Sequence, residues 1–159
     1  MQNATREIWD IPSCTGFVRG LLYGLNANGD YWFNLVNNVF TANPYYLFDP
    51  RLGQWPKTDT GELILNSPAA SYYDYNPNRP QWRIILWDPY FTNSTYISQR
   101  VPIVIHELIH VASGGALDSA IAGLFGWKPQ QGLDDDQNEA AASAYWSRRL
   151  LDACTPANK

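Results

Sequence analysis

Two histidines and one glutamate lie at a spacing suited to binding a metal ion. The segment 106–110 reads His-Glu-Leu-Ile-His, which is the HExxH pattern. Residues i and i+4 lie one above the other on a helix face, so His106 and His110 can bind one tetrahedral metal. The glutamate beside the first histidine can reach a water on that metal, whose pKa zinc lowers towards neutrality. The pattern predicts Zn²⁺ at both histidines, with Glu107 acting on the water.

The surroundings of the motif favour this interpretation over a chance match. The chain has only two histidines, and both are in the motif. Apolar residues flank it from Ile103 to Val111, which predicts a buried helix that can serve as a rigid platform. The alternative is a buried helix whose histidines form ordinary hydrogen bonds. That alternative leaves the Glu107 carboxylate among apolar side chains with no partner, which is costly.

A catalytic zinc usually has three protein ligands and one open position. The chain has no further histidine, and its cysteines are poorly placed, so the third ligand must be a carboxylate. Glu139 is the preferred candidate, because the small residues at 140–144 would let its helix approach the motif helix closely. Asp118, eight residues after His110 across a Gly-Gly break, is the second candidate. The acidic run 134–136 is the third, although it also suits a solvated helix start.

Glu139 also has a purely structural interpretation. Asp136 can act as an N-cap, and Glu139, three residues later, can reach back to its N–H as in a capping box. The sequence leaves the choice between a metal ligand and a capping residue open.

The elements that must position these residues are mainly helices. Apolar periodicity predicts helices at residues 17–25, about 32–40, 102–113, 117–125 and about 136–153. Short β-rich runs predict strands at 45–48, 63–65 and 83–87, with an irregular loop at 72–80. We therefore expect an α+β fold: one mainly helical domain over residues 1–159, with a small antiparallel or mixed sheet.

Composition limits the possible partners. The net charge is −4 and no basic stripe is present, which argues against nucleic acid. No apolar run is long enough to span a membrane. Charged residues make up only 16% of the chain, whereas it has seven Trp and ten Tyr. This composition favours a secreted or extracellular protein, or a domain of a longer exported one.

The two cysteines, Cys14 and Cys154, lie near opposite ends of the chain. An even count placed in this way suits a disulfide that joins the ends. Two separate buried thiols are the alternative, and the sequence does not decide between them.

The motif together with Asn138-Glu139-Ala140-Ala141 at the head of a helix resembles the gluzincins, the thermolysin-like branch of the zincin metallopeptidases. The resemblance implies that His106, His110 and Glu139 bind zinc and that Glu107 is the general base. It implies a peptide or protein substrate. The gap between His110 and Glu139 is longer than in thermolysin, and no Asp follows Glu139 at the family's usual place.

A second resemblance covers residues 83–115, where a strand ending in Asp88-Pro89 precedes the motif helix. This segment is similar to the metallopeptidase toxin domains of bacterial polymorphic (Rhs-type) toxins, which implies an effector enzyme. If the zincin resemblance holds, the strand at 83–87 would be the edge strand beside the site. Two alternatives to a peptidase are a peptidoglycan amidase and a non-catalytic, zinc-stabilised module that binds protein or glycan.

Overall fold

The structure is a computed structural model that describes residues 11–25, 69–74, 81–86, 93–97 and 99–155. In chain order, its elements are α1 (Pro12–Gly24), β1 (Ala69–Asp74), β2 (Gln81–Leu86), α2 (Ser94–Ile97), α3 (Arg100–Ala112), α4 (Asp118–Gly123) and α5 (Asp135–Cys154). The expectation of a mainly helical protein is confirmed for these residues. The helix predicted at about 32–40 and the strands predicted at 45–48 and 63–65 lie outside them.

Helix α3 carries the HExxH motif and is buried along most of its length. Nine of its thirteen residues are buried, from Val101 to Ala112. Pro102 lies in the first turn, where a missing backbone N–H costs no hydrogen bond. The predicted helix at 102–113 is therefore confirmed, and its apolar surroundings hold the motif rigidly.

Helices α1 and α5 pack together and close the core on the other side. Val18, Leu21 and Leu22 are the buried face of α1, as the periodicity at 17–25 predicts. On α5 the buried positions are Ala142, Trp146, Leu150 and Cys154, each four residues after the last. That four-residue spacing keeps them on one face of the helix.

A disulfide joins the first helix to the last. Cys14 and Cys154 are bonded, with their Cα atoms 4.4 Å apart and 140 positions between them in the sequence. The Ser13 hydroxyl adds a hydrogen bond to the Ala153 carbonyl, at 2.6 Å. Of the two alternatives that the sequence left open, the structure has the disulfide.

We expect removal of this disulfide to lower the free energy of unfolding by up to about 4–5 kcal/mol. A cross-link that closes so long a loop restricts the unfolded chain strongly. Urea unfolding of the oxidised protein and of the Cys14→Ser/Cys154→Ser variant measures the difference. Equal unfolding midpoints with equal slopes would show that the bond adds no stability.

The two described strands pair antiparallel, from Ala69 opposite Leu86 to Asp74 opposite Gln81. The strand predicted at 83–87 is thus present as β2, shifted by two residues at its start. The prediction of an irregular loop at 72–80 is wrong for residues 72–74, which belong to β1. Tyrosine is common in strands, and Tyr72 and Tyr73 are held in an extended conformation by their pairing with β2. The other part of that loop lies outside the described residues.

Among the described residues, no helix has the length and apolar character needed to cross a membrane. This agrees with the expectation from the sequence.

Candidate metal centre

Three side chains bring their ligand atoms together at one end of the motif helix. The Nε2 atoms of His106 and His110 lie 3.1 Å apart. Asp118 Oδ1 lies 3.3 Å from Nε2 of His106 and 3.4 Å from Nε2 of His110. These three residues are a group that could hold a metal ion.

A glycine turn brings Asp118 back to the histidines. Gly114 and Gly115 have φ values of 73° and 91°, a region that favours glycine. The Gly115 N–H donates to the His110 carbonyl at 2.8 Å, which closes the end of α3. The chain then reverses and begins α4 at Asp118, the first residue of that helix. The Gly-Gly break therefore allows a carboxylate only eight residues from His110 to reach the site.

The hydrogen bond made by Nδ1 of His110 leaves Nε2 as the nitrogen that can bind a metal. His110 Nδ1 lies 2.7 Å from the Ala116 carbonyl oxygen. A carbonyl only accepts, so Nδ1 carries the proton and a neutral His110 presents a lone pair at Nε2. His106 Nδ1 lies 2.9 Å from the Ser147 hydroxyl, which orients that ring in turn. Outer hydrogen bonds of this kind are typical of histidines that bind metals.

Trp146 contacts the whole group from the core side. Its Nε1–H donates to Asp118 Oδ1 at 2.5 Å. Its ring stacks on His106, with centroids 3.9 Å apart and planes 15° apart. It meets His110 edge-on at 5.9 Å. The side chain is fully buried, so it forms a rigid wall behind the three residues.

The charges in the group stabilise one another. Burial alone would lower the pKa of His110, but the hydrogen bond and charge of Asp118, with the nearby Glu107, raise it to about 8. Burial would raise the pKa of Asp118, but hydrogen bonds and attraction from both histidines hold that pKa well below its usual range. Asp118 is therefore a carboxylate at neutral pH, the form that binds metal. Metal-free His110 is mostly protonated at that pH, so it must release its Nε2 proton when a metal binds.

The spacing of the three atoms suits a small tetrahedral ion. Zinc lies about 2.0–2.2 Å from histidine nitrogen and carboxylate oxygen, so two ligands on a tetrahedron are about 3.3–3.6 Å apart. The observed separations of 3.1, 3.3 and 3.4 Å agree with this to within about 0.2 Å. Two imidazoles and a carboxylate are also a donor set that zinc accepts. The residues present therefore fit the metal that the motif predicts.

Glu107 has the burial and the position expected of a reacting group. Its side chain is only 7% exposed, yet it lines the cleft beside the histidines. No hydrogen bond or ion pair joins its carboxylate to another residue in the described part of the chain. A buried carboxylate without such partners is costly, which favours an external partner in the cleft.

Glu139, the preferred third ligand from the sequence, lies outside the His-His-Asp group. Its Oε2 instead accepts a hydrogen bond from the Ser119 N–H at 3.0 Å, in the first turn of α4. Asp118, the second candidate, lies with the two histidines instead, across the short glycine turn.

A capping box is present, but two residues earlier than in the structural alternative considered for Glu139. Asp134 is the N-cap of α5, its carboxylate accepts from the Gln137 N–H at 2.8 Å, and the Gln137 side chain accepts from the Asp134 N–H at 3.1 Å. The box of Asp136 and Glu139 was therefore wrong, because α5 begins at Asp135. Residues 134–136 are exposed, as a solvated helix start requires.

The site opens into a cleft of about 840 Å³ between α3, α5 and β1. In the part of the chain that the structure describes, the β1 residues Ala69, Ala70 and Ser71 line its wall. Glu139, Ser143, Ser147 and Arg148 line it from α5.

Two polar side chains on α5 that could donate to a reacting oxygen are engaged elsewhere. The Tyr145 hydroxyl donates to the Phe125 carbonyl at 3.2 Å. Arg149 donates to that same hydroxyl at 2.9 Å and lies over the Phe125 ring. Of the arginines on α5, Arg148 is the one that lines the cleft.

Sequence reasoning did not find the roles of Trp146 and Ser147. Both lie on the same face of α5 as Glu139 and Ser143, three to four residues apart along the helix. Nothing in the local sequence distinguishes a tryptophan that contacts the His-His-Asp group from one that only fills the core.

No protein-family model, curated protein or solved structure matches this chain.

Proposed function

We propose that this protein is a zinc-dependent metallohydrolase, and most specifically a peptidase. The observation that carries the proposal is the unpartnered, buried Glu107 carboxylate beside the His106, His110 and Asp118 group. A structural zinc is usually enclosed by four protein ligands, whereas a catalytic zinc has three and an open position. The group described here offers three and faces an open cleft, which supports the catalytic alternative.

The chemistry divides between the metal and the chain. A zinc ion held by the three residues would supply a Lewis acid that activates water and polarises a carbonyl. Glu107 accepts a proton from the water while the water oxygen attacks the carbonyl carbon of the substrate. The C–N bond then breaks, and Glu107 donates the proton to the leaving amine. Ser147 and the Ala116 carbonyl hold the two imidazoles in the orientation that leaves both Nε2 atoms free.

The arrangement of elements supports a zincin-like enzyme. The motif helix α3 contacts both described strands and packs against the C-terminal helix α5, which supports this proposal. The third ligand that we propose is Asp118, which departs from the downstream glutamate of gluzincins.

The disulfide between Cys14 and Cys154 supports export. Disulfides form and persist in oxidising compartments and are rare in cytosol. We therefore propose a secreted enzyme or an exported effector.

Wild-type protein should contain one zinc per chain and should cleave an unfolded protein such as reduced casein. A chelator should abolish cleavage, and added zinc should restore it. Elemental analysis and mass spectrometry of the fragments measure both results. The His110→Ala variant, which lacks one ligand, is the matched control for contaminating protease.

Two other outcomes would redirect the proposal. Release of peptides from purified cell walls without casein cleavage would point to a peptidoglycan amidase. One firmly bound zinc with neither activity would favour a zinc-stabilised binding module. Absence of metal in zinc-supplemented protein would overturn the metal centre itself.

A further inference from the structure

The Trp146 side chain has a position that packing alone does not require. It is fully buried in the core, yet its one polar atom, Nε1, faces the candidate metal centre and donates to Asp118 Oδ1. A buried indole N–H needs an acceptor, and here the acceptor is the Asp118 carboxylate, which contacts both histidines.

We propose that Trp146 is the positioning residue of the metal centre and that it acts by holding the Asp118 carboxylate in ligand orientation. The inference rests on the proposed metal centre, since it assigns a role toward the same three ligands. Trp146 acts by orienting Asp118 and does not contact the substrate.

Asp118 needs such a partner because of where it lies. It is the first residue of the short helix α4 and follows a turn with two glycines at positive φ. The hydrogen bonds from the Gly115 N–H to the His110 carbonyl and from the Ser119 N–H to Glu139 hold backbone atoms on either side, but they do not orient the Asp118 carboxylate. The partner comes from α5, which is fixed at its far end by the disulfide at Cys154. The hydrogen bond therefore ties a ligand from a short, local segment to a helix of twenty residues.

The contacts with the histidines serve the same arrangement. The stack on His106 and the edge contact with His110 place a flat, apolar wall behind both rings. A second hydrogen bond from α5, between Ser147 and His106 Nδ1, lies one residue further on. One turn of α5 thus contacts each of the three ligands, so the positions of the ligands depend on that turn.

The test is the zinc affinity of Trp146→Phe. Phenylalanine keeps an aromatic ring for the stack on His106 but has no N–H to donate to Asp118. We expect the affinity for zinc to fall about 10- to 100-fold, the usual effect of losing an outer hydrogen bond to a ligand. Competition with a chromophoric chelator measures the affinity. The visible absorption of the Co²⁺-loaded protein should change as well, since it reports the geometry of the ligands.

Two comparisons separate positioning from a general loosening of the core. Leu22→Ala removes a fully buried side chain of α1 that does not line the cleft, and it should leave zinc affinity within a few-fold of wild type. In an Asp118→Ala background, Trp146→Phe should cost much less affinity than in wild type, because the N–H no longer has a ligand to orient.

Each other outcome overturns the inference. Wild-type affinity in Trp146→Phe, an equal loss in Leu22→Ala, or an undiminished loss in the Asp118→Ala background would do so. Wild-type protein that binds no zinc would overturn the inference together with the proposed metal centre. Wild-type protein that binds zinc but cleaves nothing would overturn only the proposed hydrolase, and the affinity comparison would still decide the role of Trp146.

Discussion

Glu107→Gln should bind zinc as wild type does and should lose hydrolysis by about 100- to 10,000-fold. The glutamine has the same shape but cannot accept a proton from the attacking water, and positioned general bases contribute a factor of this size. Folding should not suffer, because the carboxylate forms no hydrogen bond or ion pair within the described residues and carries a burial cost there. The neutral side chain should leave the free energy of unfolding equal or slightly higher. Steady-state cleavage rates with metal content on the same preparation measure the two effects.

The matched control for this variant is Glu139→Gln. It makes the same change in a carboxyl group that also lines the cleft, but whose Oε2 already accepts from the Ser119 N–H. An amide oxygen can still accept that bond, so activity should stay within about 10-fold of wild type. Zinc-loaded Glu107→Gln protein that cleaves as fast as wild type would show that another group moves the proton.

The second large effect concerns the third ligand. Asp118→Asn should lower zinc affinity by more than about 100-fold, beyond the usual effect of losing an outer hydrogen bond. The neutral amide is not among the usual protein ligands of zinc, and the charge that attracts a cation to the two histidines is lost. The amide oxygen can still accept from the Trp146 N–H, so the core should remain hydrogen-bonded. Zinc affinity by chelator competition measures the loss, and thermal unfolding of the metal-free protein checks the fold.

Glu139→Gln serves again as the comparison, because Glu139 is the ligand that the gluzincin resemblance implies. Its zinc affinity should stay within about 10-fold of wild type, because its carboxyl group lies outside the His-His-Asp group. If Glu139→Gln loses zinc as severely as Asp118→Asn, the downstream glutamate is a ligand after all. If only Asp118→Asn loses zinc, the short glycine turn replaces the downstream helix as the source of the third ligand.

Asp118→Asn and Glu139→Gln also test whether the third ligand comes from the glycine turn or from helix α5. A ligand on α5 would depend on the packing of α3 against a helix that begins 25 residues after His110 (135 minus 110). Asp118 instead reaches the site through a turn that closes directly onto the end of α3. Two histidines on one helix and Asp118 after a short turn make this group local in sequence, whereas a ligand at Glu139 would come from a more distant segment.

Local pattern was sufficient to predict the motif helix and its two histidines. A four-residue spacing on a helix fixes the relative position of two side chains whatever the rest of the chain does. The same reasoning predicted α4 and α5 close to their observed positions and α1 with a start five residues too late, because apolar periodicity reports which face is buried and not where a helix begins. The presence of a strand near 83–87 was also predicted from its β-branched and aromatic residues.

Tertiary structure decided the questions that depend on distance between elements. Whether Asp118 or Glu139 reaches the histidines depends on how the chain turns at Gly114 and Gly115, and local propensity does not give the direction of that turn. The helix start predicted at about residue 136 differs from the observed start by one residue, yet the N-cap is Asp134 and not Asp136. Element ends are the least determined feature of a sequence, because neighbouring polar residues compete for the same cap.

The sequence by itself predicted a group suited to metal binding, through the types and spacing of His106, Glu107 and His110. Only the tertiary structure selected the disulfide, the Asp118 contact and the contacts of Trp146, which join residues 28 to 140 positions apart or lie beyond a turn. The reason is physical. Spacing along a helix is set by the backbone geometry of a few residues, whereas contact between distant elements is set by the packing of the whole core.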